Sequence, residues 1–523
     1  MSKEANTDNE TGQNPIAHAR DWNGTNDPGD PRNFTLLRRI YSTTAVTLLA
    51  FVTTFAASIY SPGSSEVARN FSVSDEVAIL PLAFYNLGLA AGPLIGSPVS
   101  ETSGRKVVLL ITTPCFALFT LGAGFANGIT ALVVCRFFAG VFAAPAVGNA
   151  SATLTDYTSG RYRAISFAFY YSIPTFGAAL GPLVGGFVAE ARGWRWTLFT
   201  TVFLTVAFYI PILFTKESYK KTILQRRAKK LGIEGPPQVE RTTTETIRYF
   251  ATTLLFRPLH MLLTEPIVTL VCLYNAFLFG LIYTFVVAAP WIYKTYYGFS
   301  VSGQSLSFLG MITGTAIAPF PLVLIDHFIY QPRLKRFRET KSEEERFPPE
   351  YRLYPALIAS FILPAGLFAF AWTVRPDVPA IMPIVFQGVT ALASLLIYAS
   401  ANLYVNTPPV LENLADGPVL HSRFMMDAYG PLYGKSYYIP ARSVSIIPAD
   451  RPVGASAAGA AMLSRYTLSA AFPLFALKMY QALGVGWATS LLAFCTLAMA
   501  PIPWLFWKFG EDIRRKSRYE TSA

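Results

Sequence analysis

The stretch Tyr429-Gly430-Pro431-Leu432-Tyr433-Gly434-Lys435-Ser436 almost spells a phosphate-binding loop. Such a loop needs four residues between its two glycines, so that backbone N–H groups wrap the phosphates and the lysine reaches them. Here three residues separate Gly430 from Gly434, and very apolar segments flank the stretch. No strand–loop–helix setting surrounds it, so nucleotide chemistry is argued against on both counts.

Three other groups of residues could do work. Ser97-Pro98-Val99-Ser100-Glu101-Thr102-Ser103-Gly104-Arg105-Lys106 places a carboxylate just ahead of Gly-Arg-Lys in a tight connection. Glu101, Gly104, Arg105 and Lys106 can form ion pairs that hold two helical bundles in one state and release in another. The bland alternative is an ordinary basic turn. Arg136 interrupts the apolar run Leu132-Val133-Val134-Cys135-Arg136-Phe137-Phe138-Ala139-Gly140. An arginine there costs about 2.5–3.5 kcal/mol on insertion scales, which makes it a candidate for function, or else a brace between helices. Gly177, Gly181 and Gly185 recur every four residues and line one helix face, with Pro182 and Gly186 beside them. That face admits a close backbone neighbour, and Pro182 frees a carbonyl and bends the helix. The expectation is a hinge at an interface between bundles; plain close packing gives the same spacing.

These residues need elements to hold them. The chain has 523 residues, of which 52% are apolar and 14% charged, with a mean hydropathy of +0.37; a soluble domain carries roughly 25% charged residues. About 20 apolar residues suffice for a membrane-spanning helix. Twelve such runs occur, at about 40–60, 78–98, 107–126, 130–153, 165–189, 195–215, 266–290, 302–325, 355–373, 380–403, 455–477 and 485–507. The net charge of +12 is concentrated after run six, from Lys216 to Arg257, and at 333–346 after run eight. Connections on the other side are poor in basic residues. Positive charge on the cytosolic side then places both termini and the central segment in the cytosol. The charge sets topology and does not read nucleic acid. Cys115, Cys135, Cys272 and Cys495 lie in apolar runs without metal-ligand spacing, so neither metal nor cofactor is expected.

Six runs, a basic segment of about 50 residues and six more runs predict an all-α integral membrane protein with twelve transmembrane helices in two six-helix halves. The expected divisions are a disordered cytosolic tail at 1–37, a first bundle at 38–215, a cytosolic segment at 216–264, a second bundle at 265–510 and a cytosolic tail at 511–523. No polar segment has room for a soluble ATPase domain, and no cluster of catalytic polar residues suggests an enzyme. Transport driven by an ion gradient or by the solute's own gradient fits best. Tyr85, Asn86, Tyr274, Asn275, Tyr283, Gln304 and Gln387 are polar points on apolar helices and are the candidates for a substrate cavity. Intramembrane carboxylates are scarce. Asp156 ends run four, and Asp326 and His327 end run eight.

The three motifs together resemble those of the major facilitator superfamily, and within it the fungal twelve-span drug:proton antiporters, over about 35–510. Gly193-Trp194-Arg195-Trp196 and Gly484-Val485-Gly486-Trp487 are similar to segments of its multidrug and polyamine exporters. The pattern departs at Ser97, where glycine is usual, and at Thr102, where a basic residue is common. The resemblance implies the major facilitator fold and export of a small amphipathic molecule from the plasma membrane, with protons and lipid as its other partners and a monomer as its working unit. It also implies that Gly177–Gly186 marks an antiporter and that Arg136 takes part in proton coupling. Import of a nutrient or organic acid on the same fold is the rival reading, and a non-transporting isoform is another.

Against such a family member, 404–423 and 435–454 are two inserts of 20 residues each. Leu403-Tyr404-Val405 and Gly434-Lys435-Ser436 permit intron donor sequences, and Ala415-Asp416 and Ala449-Asp450 permit branch points. Arg423 and Val453-Gly454 permit acceptor sites. The expectation is two translated introns, which would make Lys435 and Ser436 no site at all. Real loop insertions are the alternative.

Overall fold

The computed structural model describes residues 22, 27–158, 160–233, 257–340, 347–405 and 453–515. Among these the chain is helical with no strand. Spans one to six are Leu36–Ser58, Asp75–Ser103, Arg105–Gly124, Ile129–Tyr157, Gly160–Arg192 and Trp194–Phe214. Span seven is Pro266–Tyr297, span nine Tyr354–Thr373 and span ten Ile381–Val405. Span eight is broken into Val301–Leu306, Leu309–Ile317 and Pro319–Ile325, and continues through a π-helical turn, Asp326–Tyr330. The helix Val453–Met499 holds spans eleven and twelve, because Gly484 at φ 72° and ψ 164° breaks it. Eleven stretches have the length and hydropathy to cross a membrane, and the last, Gly459–Ile513, contains both of these spans. Twelve spans in two halves are therefore present among the described residues.

Local chemistry sets the turns. The Ser74 hydroxyl accepts from the Val77 amide to start span two, with Asp75 and Glu76 in its first turn. Gly104 joins spans two and three at φ +98°, a conformation side chains resist. One apolar core runs through both halves. Large apolar side chains such as Leu118, Phe203, Phe320, Ile358 and Phe494 remain exposed on the outside, as a lipid-facing belt requires.

Helices and turns extend into the segments at both ends and in the middle. The described structure includes residues before 37. Asp27 is buried, Pro31–Asn33 form a 3₁₀ turn, and Arg227 donates twice to the Asp27 carboxylate at 2.7 Å each. That carboxylate holds the Arg227 guanidinium above its ordinary pKa. The central segment is also not a plain loop, since Lys220–Leu231 and Arg257–Thr264 are helices. The far tail is helical to Arg515. The inserts at 404–423 and 435–454 lie outside the described residues, except for the helical residues 404–405 and 453–454. Tyr404 is buried, its ring stacked on Phe506 with centroids 6.1 Å apart.

Candidate functional site

Arg136 lies about two turns inside span four and is fully buried. Its Nη2 donates to the Ala56 carbonyl at 2.9 Å and the Ala57 carbonyl at 3.4 Å, and its Nε donates to the Pro81 carbonyl at 3.4 Å. The Tyr85 ring lies 4.2 Å beneath the guanidinium, and the Tyr85 hydroxyl donates to Thr53 at 2.8 Å. Arg136 thus ties spans one, two and four together by carbonyls and an aromatic face, with no carboxylate. Tyr85 is part of that support.

The other cavity candidates divide. Asn86 donates from Nδ2 to the Ser469 carbonyl at 3.2 Å, joining span two to span eleven across the halves. Its Oδ1, the Asn275 Oδ1, the Tyr274 and Tyr283 hydroxyls and both polar atoms of Gln387 are buried without a hydrogen-bond partner. Buried polar atoms are normally paired, and these are not. Gln304 does not belong to this group. Its Nε2 donates to the Phe299 carbonyl at 2.9 Å, at the start of span eight.

Span five touches both halves. A side chain at Gly177 would meet the Phe51 carbonyl at 2.7 Å, and one at Gly181 the Ile59 nitrogen at 2.9 Å. One at Gly185 would strike the Ile59 carbonyl. The glycine face therefore packs on span one of its own half, not on the partner bundle as the spacing suggested. Spacing reveals a face but not its neighbour. Gly186, turned away from that face, is the exception: a Cβ there would strike Ser305 of span eight. Other cross-half contacts lie toward the same end. Ser61 donates to the Val286 carbonyl at 2.8 Å, Ser302 N–H donates to Glu190 at 3.0 Å, and Lys478 pairs with Glu76 at 3.3 Å. This end is opposite the one that carries the amino-terminal segment and Lys220–Leu231.

At the basic end, the connection between spans two and three forms an ionic cluster. The Glu101 side chain lies outside the described residues. Glu217, a residue the sequence did not single out, receives the Arg105 N–H at 2.8 Å, the Lys106 N–H at 3.2 Å, and the Ser218 and Tyr219 N–H groups at 3.1 Å each. It thereby caps span three. Arg105 lies 3.8 Å from Asp156 and donates to Ser100 Oγ at 2.8 Å, while Lys106 Nζ donates to the Leu213 and Thr215 carbonyls at 2.8 and 2.7 Å. The second half repeats the device: Arg352, ahead of span nine, is 3.5 Å from Asp326 at the end of span eight.

A second intramembrane arginine belongs beside Arg136. Arg465, near the middle of span eleven, is 6% exposed. The rule that singled out Arg136 applies equally to it, since the run 455–477 is otherwise apolar. The rings of Phe279, Tyr398 and Tyr466 surround it at 4.6, 5.5 and 4.5 Å.

Twelve membrane-length spans in two six-helix halves define a polytopic membrane carrier. Residues 46–409 match the Major Facilitator Superfamily, and the chain belongs to it. It is 34% identical over 508 residues to the MFS-type transporter traF of Penicillium crustosum, covering 97% of this chain and 94% of that one. Polyamine transporter 4 of Saccharomyces cerevisiae is 31% identical, with 99% of this chain and 76% of that one covered. The efflux pump FUBT of Fusarium oxysporum is 32% identical, covering 95% and 77%. The solved structure of the proton:xylose symporter XylE, bound to 6-bromo-6-deoxy-D-glucose, superposes with a TM-score of 0.59 at 16% identity, over 91% of this chain and 96% of that one. Its likeness concerns the fold. The protein is a transporter, not an enzyme.

Proposed function

We propose that this transporter exports small amphipathic molecules in exchange for protons, with the two halves rocking about a central site. The observation that carries the reading is span five, seated on span one through Gly177, Gly181 and Gly185 and on span eight through Gly186. A helix packed on both halves can register their movement. The efflux-pump name of FUBT and the transporter names of the other relatives support export. Arg136 is the coupling candidate, because it is a buried charge held by carbonyls and by the rings of Tyr85 and Tyr60. The apolar and aromatic centre suits a bulky cargo, for which Asn275, Tyr283 and Gln387 hold spare polar atoms. The working unit is a monomer in the plasma membrane, with the basic segment and both termini in the cytosol. Net efflux of a fluorescent amphipathic dye from cells expressing the protein tests the reading. Efflux should stop when an uncoupler collapses the proton gradient. Gradient-driven net uptake would support the importer instead.

A second reading concerns the reading frame. The inserts at 404–423 and 435–454 are proposed to be translated introns. Excision would put Phe424 in the place of Tyr404, so an aromatic ring would still face Phe506. The comparison of spliced and unspliced frames in a deletion strain separates a working exporter from an inactive isoform.

A further inference from the structure

We infer that Arg465 is the anchor for a carboxylate on the transported molecule, so that the cargo is an amphipathic organic acid carried as its anion. The inference rests on the transporter reading above and names its substrate class.

The two intramembrane arginines differ in one respect. A guanidinium presents Nε and Nη2 side by side, two parallel N–H groups that match the two oxygens of a carboxylate. In Arg136 that edge is filled, Nε by the Pro81 carbonyl and Nη2 by those of Ala56 and Ala57. In Arg465 it is open. Its Nη1 donates to the Tyr398 hydroxyl, while Nε and Nη2 are buried with no hydrogen-bond partner. The neighbouring tyrosines offer the guanidinium neutral rings and hydroxyls, Tyr466 included, but no anion.

Nor does the protein supply the missing anion. The buried carboxylates among the described residues are Asp27, Asp30, Asp156, Glu217, Glu265 and Glu350. All six lie at or beyond the basic end of the spans, and Asp27, Asp156 and Glu217 already have the partners given above. Among the described residues, two buried arginines and no buried carboxylate stand between the ends. An isolated buried charge is strongly disfavoured, so the open edge calls for a ligand of opposite sign.

Its surroundings suit an aromatic or amphipathic body. Phe279, Tyr398 and Tyr466 surround the guanidinium from the second half. Tyr171 reaches across from the first half, its ring 5.3 Å from that of Tyr398. Tyr283, whose hydroxyl lacks a partner, lies within electrostatic reach of both arginines. In the arrangement described, the first half covers the cluster. Parting the halves uncovers the edge, which is what a carrier's binding group must do.

The test uses the purified full-length protein and three probes of one shape: 2-naphthoate, neutral 2-naphthamide and cationic 2-naphthylmethylamine. Binding is read from saturable association of radiolabelled probe at pH 7.5. Wild type should bind 2-naphthoate at least about tenfold more tightly than the other two, the worth of a charge-assisted pair over a neutral one. Arg465→Gln should remove that preference and leave 2-naphthamide binding within about twofold, since the aromatic walls remain. Arg465→Lys keeps the charge without the fork and should fall between them. Equal binding of the three probes by wild type, preference for the amine, or no saturable 2-naphthoate binding overturns the inference, as does full preference in a monodisperse Arg465→Gln protein. Wild-type discrimination decides the matter even if the variants fail to fold. The same probes in proteoliposomes separate this inference from the function it rests on. If 2-naphthoate binds through Arg465 but no proton gradient moves it, proton-coupled export fails and the anion site stands. If a gradient moves 2-naphthamide or the amine but not 2-naphthoate, export stands and the anion site fails.

Discussion

Gly185 and Gly186 are neighbours in sequence, yet adding one methyl group to each should have opposite kinds of effect. In Gly185→Ala the new carbon meets the Ile59 carbonyl, with the carbonyl carbon at 3.0 Å and Cγ1 at 3.1 Å. Ordinary carbon contacts are about 3.5–4.0 Å. The obstruction is backbone at the cap of span one, in the same half. Overpacking of this kind costs about 1–3 kcal/mol, against which glycine-to-alanine in a helix returns about 1. A net loss of up to about 2 kcal/mol follows in every state of the cycle. In Gly186→Ala the methyl meets Ser305, whose Cβ lies at 2.6 Å, in the other half. Parting the halves relieves that clash. A penalty of about 2 kcal/mol confined to this arrangement shifts its population about 30-fold. Spin labels on Arg69→Cys and Arg375→Cys, exposed residues of different halves, report the separation once the four native cysteines are replaced. Gly186→Ala should lengthen the distance, and Ser305→Gly should restore it. Gly185→Ala should lower the melting temperature without changing the distance, and Ser305→Gly should not help. Equal responses from the two variants, or no rescue by Ser305→Gly, would refute the assignment of these glycines to two different contacts.

Arg136→Ala should abolish gradient-driven export while the protein still reaches the membrane, measured by efflux against surface-labelled protein; normal export would remove Arg136 from coupling. Glu217→Ala deprives four backbone N–H groups of their shared acceptor and should cost about 2–4 kcal/mol, read as a lower melting temperature, whereas Glu217→Gln keeps an acceptor and should cost roughly half as much. Mature transcript should lack two segments of 60 nucleotides, since each insert is 20 residues long; a dominant transcript that retains them and encodes an active transporter would make the inserts genuine loops.

The fold was legible because bilayer thickness translates directly into run length. Ten of the spans stand out as separate stretches, and Gly484 supplies the break between the last two, which share one. The basic residues likewise announced one end of the bundle. The broken course of span eight and its π-helical turn were not legible, since neither changes the apolar count. Tertiary pairing was the harder loss. Glu217 lies in a polar connection, and only its distance to the amides of Arg105 and Lys106 reveals a cap. Gln304 looked like a cavity residue because it is polar in an apolar run, but its helix starts there and it bonds locally. Arg465 carried the same signal as Arg136, and what geometry added was the difference between a filled edge and an open one.

The Asp27–Arg227 pair joins residues 200 apart, and the Glu217 cap joins residues 111 and 112 apart. During synthesis, the basic end of the first half is thus left unfinished until the helix Lys220–Leu231 has emerged from the ribosome. The first six helices can enter the bilayer earlier, but their closing ties arrive from a segment made after all of them. A half-molecule ended at residue 215 would lack both ties, whereas one continued through Leu231 would carry its own fastening. The natural unit of assembly is therefore six helices plus the clasp that follows them.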